Sequence, residues 1–425
     1  MTNGSREIHQ IASTEIFDHT SPSFSIECIR SSANPSTLTL HSFDGKRYEI
    51  SPSIKRNGRT YTAPRADMGL IQSIRFPVAS EPFGSSDRLV ASILELMSRY
   101  CPLLPDAADM VAAFAIGSWF VDCLPVAPLL YLLGPDNEVS LLFRLLGCVC
   151  RRSALLSDLD VAALRTLPRN LNPTLLIKQR SLGPRIRRVL MASNTRYFHL
   201  AHGKGDVHAY GAKAISVDPE FENESGIRVS LTPAYNPMPS LTDAAEVKIA
   251  HDFQAKLLRY RMIQYGEVCK FHIATPEFVP GMREEAHTWL APIFDCAALT
   301  ESVSRSLLQV SREAESNRLS DDRCLVAEAA LFFCHKQETT QFFIGDLADA
   351  VNALLKGRHE DRELTPKKVG LLLRSLGIHG QRVVNGYRIE LTDPVREQIH
   401  HVALAHQVPS AKDAIARCLH CRVFH

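Results

Sequence analysis

An α/β core with a parallel sheet is the architecture this sequence predicts, preceded by a small β module and followed by helices and a C-terminal unit of three helices and a hairpin. Three observations predict it. The apolar run Leu129 to Leu133 reads as a buried parallel strand and passes through Gly134 and Pro135 into an amphipathic helix, roughly Glu138 to Cys150. A second apolar run, PTLLIKQR (Pro173 to Arg180), ends in charge as a core strand does. Between Asp321 and Leu391, three helical patterns precede a hairpin signal at Asn385-Gly386. The 425 residues leave room for two or three domains.

Composition excludes little. A net charge of +2 gives no global pull toward nucleic acid, so any such signal must be local. Eleven scattered cysteines and a polar N-terminus without a signal peptide point to reduced thiols in a cytoplasm. Ala107 to Leu133 is the one apolar stretch of membrane length, but Asp109, Asp122 and Pro125 interrupt it, which predicts core elements and no membrane span.

In chain order, residues 1–80 form a leader and a small β module. The Ser-, Thr-, Asn- and Pro-rich stretch to about residue 38 lacks a period and reads as a mobile leader or irregular strap. TLTLHSF, RYEISPSI and RTYTAP then alternate around Asp44-Gly45 and Asn57-Gly58, two hairpin signals. Their charges (Lys46, Arg47, Lys55, Arg56, Arg59) read as a solvated sheet face rather than an anion-binding one. Residues 81–235 form the core. It opens with a helix capped near Ser85 and a mostly buried helix leading to Trp119. Residues 236–320 supply three helices, the first running Asp243 to Val268, as a helical lid. Within them Glu284, Glu285 and His287 are too close in sequence to make an open metal site.

Strand, glycine turn and helix frame a phosphate-binding loop, G-x-x-x-x-G-K-[ST]. Counting from Gly134 and Pro135, the second glycine falls on Val139, the lysine on Ser140 and the Mg²⁺-binding hydroxyl on Leu141. Val139 is too stiff for a backbone nest, Ser140 carries no positive charge, and Leu141 cannot ligate a metal. Asp136 and Glu138 add negative charge where phosphates would sit. The strand at TLLI should end in an acidic pair that holds Mg²⁺ and activates water; it ends in Lys178 and Gln179. Two losses at matched places describe a degenerate nucleotide site with no cofactor and no catalytic residues. The plain alternative is an ordinary buried strand followed by an ordinary helix. A third core strand is expected to end near Met191 to Asn194, and GIRVSLTP (Gly226 to Pro233) is expected to be the last.

On these residues the chain resembles the primase-helicase-associated P-loop ATPases of plasmids, phages and mobile elements, of the AAA+/superfamily-3-like kind. The likeness rests on the approach ending in Ser118-Trp119, the strand APLLYLL, the helix with RLLG, TLLI, Ser193-Asn194 and the last strand. It covers about Ser85 to Pro233. It implies an ATPase-like fold that has lost hydrolysis, in an accessory protein of replication or mobile-element biology.

Two basic clusters suggest DNA as partner. Between Lys178 and Lys213 eight Lys or Arg face one acid; Arg185 and Arg188 would share a helical turn, and Lys204 lies in a glycine-flanked loop. In residues 321–425 the helices and hairpin predict a winged helix-turn-helix. Thr365 caps and Pro366 opens its third helix, and Gly377 stops it. Lys367, Lys368 and Arg374 would lie on its groove side, with Arg382 and Arg388 flanking the wing. The tail carries Cys418-x-x-Cys421, half of a zinc pattern without an evident second half, and free thiols are the simpler reading. The leading function is therefore a non-hydrolysing, DNA-binding accessory protein. The alternatives are an assembly protein that oligomerises through the core and binds protein through the winged helix, and an active NTPase using Asp158 or Asp160 for its metal.

Overall fold

The computed structural model describes residues 8–10, 24–56, 59–63, 73–101, 103–157, 159–166, 171–179, 182–196, 200–202, 205–207, 210–216, 226–232, 238–272, 278–279, 282–319, 321–336, 339–384, 386–406 and 408. The chain divides into two compact units, Met1–Ser311 and Arg312–His425.

The first unit begins with β1 (Ile8–Gln10), β2 (Ser25–Arg30), β3 (Leu38–Phe43), β4 (Tyr48–Ser51), β5 (Ser53–Arg56) and β6 (Arg59–Thr62). β2, β3 and β4 form an antiparallel sheet, and β1, β6 and β5 a second one in which β1 runs parallel to β6. The β3–β4 hairpin closes on Asp44, whose Oδ1 accepts the Lys46 and Arg47 N–H groups at 2.9 and 2.7 Å. Gly45 takes the positive φ (92°) that the turn needs. The sequence reading of a leader to residue 38 is corrected here. Ser25–Ile29 is buried along its whole length, because Ile26 and Cys28 pack against Leu40 while Ile29 joins the main core.

The core follows as α1 (Ser86–Tyr100), α2 (Pro105–Gly117), β7 (Leu129–Leu133), α3 (Asp136–Val149), β8 (Ser153–Leu156), α4 (Val161–Thr166), β9 (Thr174–Ile177), α5 (Pro184–Ala192), β10 (Leu200–His202), β11 (Gly205–Val207), β12 (Lys213–Ser216) and β13 (Ile227–Ser230). Five strands make a wholly parallel sheet in the order β13-β7-β12-β9-β8. Both faces are covered, which is why its strands read as unbroken apolar runs. Leu130 and Leu132 face one layer with α2 and α3, through Phe114, Leu142 and Leu146. Leu129 and Tyr131 face the opposite layer with α4 and α5, through Leu164, Ile186 and Leu190. Each fully buried leucine of this kind contributes about 1.5–3 kcal/mol.

The expected strand at Met191 to Asn194 is helix α5. Pro184 sits at its first position, and Ile186 and Leu190, four apart, form its buried stripe. The strand between β7 and β9 is instead β12. The unit ends with α6 (Asp243–Lys270), α7 (Arg283–Leu290) and α8 (Ala297–Leu319), the last crossing into the second unit. The helices expected as a lid share one core with the sheet: Leu257 and Leu258 of α6, Trp289 of α7 and Val303 of α8 belong to the cluster that holds Leu130 and Leu132.

The second unit contains α9 (Asp322–His335), β14 (Gln341–Phe343), α10 (Ile344–Gly357), α11 (Pro366–Ser375), β15 (Gln381–Val383), β16 (Gly386–Glu390) and α12 (Asp393–Ala405). Its three strands pair antiparallel in the order β14-β16-β15. A separate core joins Leu325 and Ala329 of α9, Val351 of α10, Leu373 of α11 and Ile399 of α12. Among the described residues no helix is long and apolar enough to cross a membrane.

Candidate functional site

Ligands of open parallel sheets bind outside the carboxyl ends of the strands. Here that edge carries Gly134, Pro135 and Asp136 after β7, and Lys178 and Gln179 after β9. The chain passes from β7 to α3 through two residues, Gly134 and Pro135, so Val139, Ser140 and Leu141 are already helical. The Val139 N–H donates to the Pro135 carbonyl at 3.1 Å, and the Ser140 hydroxyl donates to the Asp136 carbonyl. The Lys178 ammonium donates to Asp136 Oδ2 at 2.7 Å. The lysine at the expected acidic position therefore neutralises the acid at the expected phosphate position. The Gln179 side-chain oxygen accepts the Leu159 N–H at 3.0 Å and braces the start of the β8–β9 connection. Gly134 has φ 152°, and a Cβ there would stand 2.8 Å from the Leu231 carbonyl oxygen. Close passage of the chain after β13 accounts for this glycine without a phosphate. Of the alternative metal ligands, Asp158 lies outside the described residues, and Asp160 is exposed and opens α4, its carbonyl accepting the Leu164 N–H at 3.1 Å.

The basic face of the core is smaller than the residue count implies. Arg185 and Arg188 are exposed on α5, one turn apart, and the Arg188 Nε donates to the Pro184 carbonyl at 3.4 Å. Lys204 lies outside the described residues. Lys213 is corrected: it has no exposed surface, and its ammonium donates to the Gly211 and Ser193 carbonyls at 2.9 and 3.3 Å. Burial alone lowers it to about 7.

In the second unit, local capping positions a cationic helix. The Thr365 hydroxyl accepts the Lys368 N–H at 3.3 Å, and Pro366 follows at the first helical position. Asn352 of α10 grips the approach from both sides, donating to the Leu364 carbonyl and accepting its N–H. Gly377 ends the helix with φ 84°. Lys367, Leu371 and Arg374, at i, i+4 and i+7, share one exposed face, and Lys367 and Arg374 carry no ion pair among the described residues. With Ile344, Leu373, Ile378 and Tyr387 they line a groove of about 170 Å³ that contains no acid. Arg382 on β15 is exposed and unpaired among the described residues. Lys368 points elsewhere, pairing with Asp322 at 2.6 Å beside Arg362. Arg388 pairs with Glu390 on its own strand. The structure thus brings Lys367 and Arg374 together as available cations, leaves Arg382 exposed on β15, and commits Lys368 and Arg388 to internal pairs.

Two features escaped the sequence. Glu27 of β2 accepts from Arg151, Arg152 and Arg261 at 2.7, 2.8 and 2.5 Å, and Asp122 accepts from Arg261 at 2.8 and 2.5 Å, all five side chains being buried. Burial works to raise Asp122, but Arg261 and Arg151 outweigh it and hold the carboxyl below its ordinary value. In the second unit, His335 ends α9 and meets His400 of α12, their Nε2 atoms 3.0 Å apart. Burial, then His400 and Arg396, lower His335 to about 4, so His335 is neutral near pH 7. Cys418 and Cys421 lie outside the described residues. Among the described residues no three His, Cys, Asp or Glu converge as metal ligands.

No protein-family model matches this sequence, and no curated protein matches it. Among solved structures, the chain is similar to the apo A form of the NrS-1 C-terminal region, at 10% identity over 86% of this chain and 96% of that one, with a TM-score of 0.38. It is also similar to a chain of Drosophila ORC bound to DNA, at 12% identity over 75% of this chain and 91% of that one, with a TM-score of 0.19. Likenesses this loose leave function to the chain's own residues.

Proposed function

We propose that this chain is a DNA-binding accessory protein with a P-loop ATPase-like core that does not hydrolyse nucleotide and a C-terminal winged helix. The observation that carries the DNA reading is the exposed face of α11. Lys367 sits in the first turn, where the helix dipole disfavours a cation by about 0.3–1 kcal/mol. An anion placed there offsets that cost. Arg374 and, on the hairpin, Arg382 extend the positive surface, and Arg185 and Arg188 of the core are the secondary candidates. The pseudo-ATPase half is supported by the Lys178–Asp136 pair and by the two-residue β7–α3 connection, which leaves no glycine loop to cradle phosphates. A role in replication or mobile-element biology follows from the resemblance of the sequence.

The test is duplex DNA binding across ~50 to ~200 mM salt, with and without ATP and Mg²⁺, on the parent and on Lys367→Glu/Arg374→Glu. The parent should bind with a steep salt dependence, and the variant should lose about two units of the log–log salt slope. ATP should change nothing. Absence of binding at low salt overturns the DNA reading; an effect of ATP overturns the pseudo-ATPase reading.

A second reading has its own observation. Leu371 is 57% exposed, Tyr387 43%, and Val384 at the hairpin is fully exposed. Leu371 and Tyr387 line the same groove, and exposed apolar side chains there favour a protein contact, as in an assembly protein or homo-oligomer. Retained self-association in the charge-reversed variant, with no DNA binding by the parent, is the result that favours it.

A further inference from the structure

We infer that Cys123 and Cys269 form a reversible disulfide, closed by a hydroperoxide, that latches the end of helix α6 to the turn leading into β7.

Packing brings the two sulfurs together. Cys123 ends a 3₁₀ turn, Val121–Cys123, between α2 and β7. Cys269 lies in the last turn of α6. Their thiols are in hydrogen-bond contact. The neighbouring ion pair holds the same two elements in place: the Arg261 guanidinium of α6 donates to Asp122 of the turn at 2.8 Å, and both side chains are buried. Arg261 also lies over Tyr265, 4.5 Å from the ring centroid, and the Tyr265 hydroxyl donates to Cys269 one turn further on. A disulfide needs its sulfurs at ~2.05 Å. Sulfurs already in contact reach that distance by side-chain rotation and a small adjustment of a helix end, the part of a helix that frays most readily.

Exposure gives the two thiols different parts. Among the nine described cysteines Cys269 is exposed, Cys123 is half-buried and the other seven are buried. An oxidant therefore meets Cys269 first. Cys269 is also the readier thiolate: the Cys123 hydrogen bond lowers it against the opposing effects of burial and Asp122, and Arg261 and Tyr265 add to the lowering. Cys123 is held well above its ordinary value, chiefly by burial, and keeps a proton that it donates to the Phe120 carbonyl at 3.1 Å. An accessible thiolate beside a protonated second thiol is the arrangement of an attacking and a resolving cysteine.

The step balances. The Cys269 thiolate attacks one oxygen of the hydroperoxide and becomes a sulfenic acid, while the O–O bond breaks and the other oxygen leaves as water or an alcohol. Cys123 then attacks the Cys269 sulfur. The S–S bond forms, the S–O bond breaks, and the Cys123 proton leaves with the hydroxide as water. The sulfurs lose two electrons and the hydroperoxide gains them; a dithiol returns them by exchange. The latch does not depend on the DNA reading.

The test uses the full chain carrying Cys418→Ser/Cys421→Ser, which removes the thiol pair of the tail, reduced, desalted and treated with stoichiometric hydrogen peroxide. Two thiols per chain should be lost, and a proteolytic map should contain a Cys123–Cys269 linked peptide; dithiothreitol should reverse both. Oxidation should raise the thermal midpoint read by tryptophan fluorescence by about 5 °C. Cys269 is exposed at a helix end, so Cys269→Ser should keep the fold and lose no thiols to peroxide. Cys123→Ser should stop at a sulfenic acid on Cys269 that dimedone traps. No linked peptide in the parent, Cys269 linked to another cysteine, an equal thiol loss in Cys269→Ser, or no dimedone adduct in Cys123→Ser each overturns the assignment, and an unchanged midpoint overturns the latch.

Discussion

Replacing Lys213 by methionine should stabilise the first unit near pH 7, and the gain should vanish in alkali. The ammonium has no exposed surface and meets two carbonyls but no carboxylate. Burial holds it at about 7, against an ordinary 10.5. Between those values the unfolded chain keeps a proton that the folded chain has released. Stability therefore rises with pH across that window and is lost as pH falls toward 7. At about pH 7 the penalty is roughly 4–5 kcal/mol, and at about pH 9.5 roughly 1.4 kcal/mol. Methionine matches the length and removes the penalty, but it deprives the Gly211 and Ser193 carbonyls of a donor at about 1 kcal/mol each. The net gain is about 2–3 kcal/mol near pH 7 and close to zero near pH 9.5. Urea unfolding read by tryptophan fluorescence isolates the effect, because the two tryptophans of the chain, Trp119 and Trp289, are both buried in the first unit. A Lys213→Met protein less stable than the parent near pH 7, or a difference that does not change with pH, would refute the reasoning.

Two further outcomes bear on the core. Glu27→Gln removes the acid shared by three buried arginines and should cost about 3–5 kcal/mol in the same unfolding assay; a loss under about 1 kcal/mol would mean that Asp122 and backbone carbonyls carry the cluster. Gly134→Ala drives a Cβ into the Leu231 carbonyl at a φ disfavoured for alanine, and should cost roughly 2–4 kcal/mol with no ligand present. A near-neutral result would return this glycine to a role in binding.

What the sequence disclosed was local. The strand at Leu129–Leu133, the Asp44 hairpin and the Thr365–Pro366 helix start each rest on a handful of adjacent residues, and the structure has them in place. Helix α5 was misread because a short apolar run, Val189 to Met191, fits strand and helix alike; the Pro184 signal and the Ile186/Leu190 spacing pointed the other way. Charge counts failed for a different reason, since they are blind to burial and pairing. Lys213 is interior, Lys368 belongs to Asp322, and Lys178 to Asp136, forty-two residues away. The charge centre was beyond reach: its partners lie 124, 125 and 234 residues from Glu27, and no local pattern announces a contact of that range.

That range also sets a clock on the newborn chain. At roughly 5–20 residues per second, a ribosome needs about ten to fifty seconds to travel from Glu27 to Arg261. In the second half of that interval Asp122, Arg151 and Arg152 have been made, yet the last cation of the centre has not, and Asp122 waits without its bidentate partner. The first unit cannot seal its interior around those charges until helix α6 is nearly made. Its N-terminal strands must stay unaggregated until then, β2 with its buried Glu27 among them.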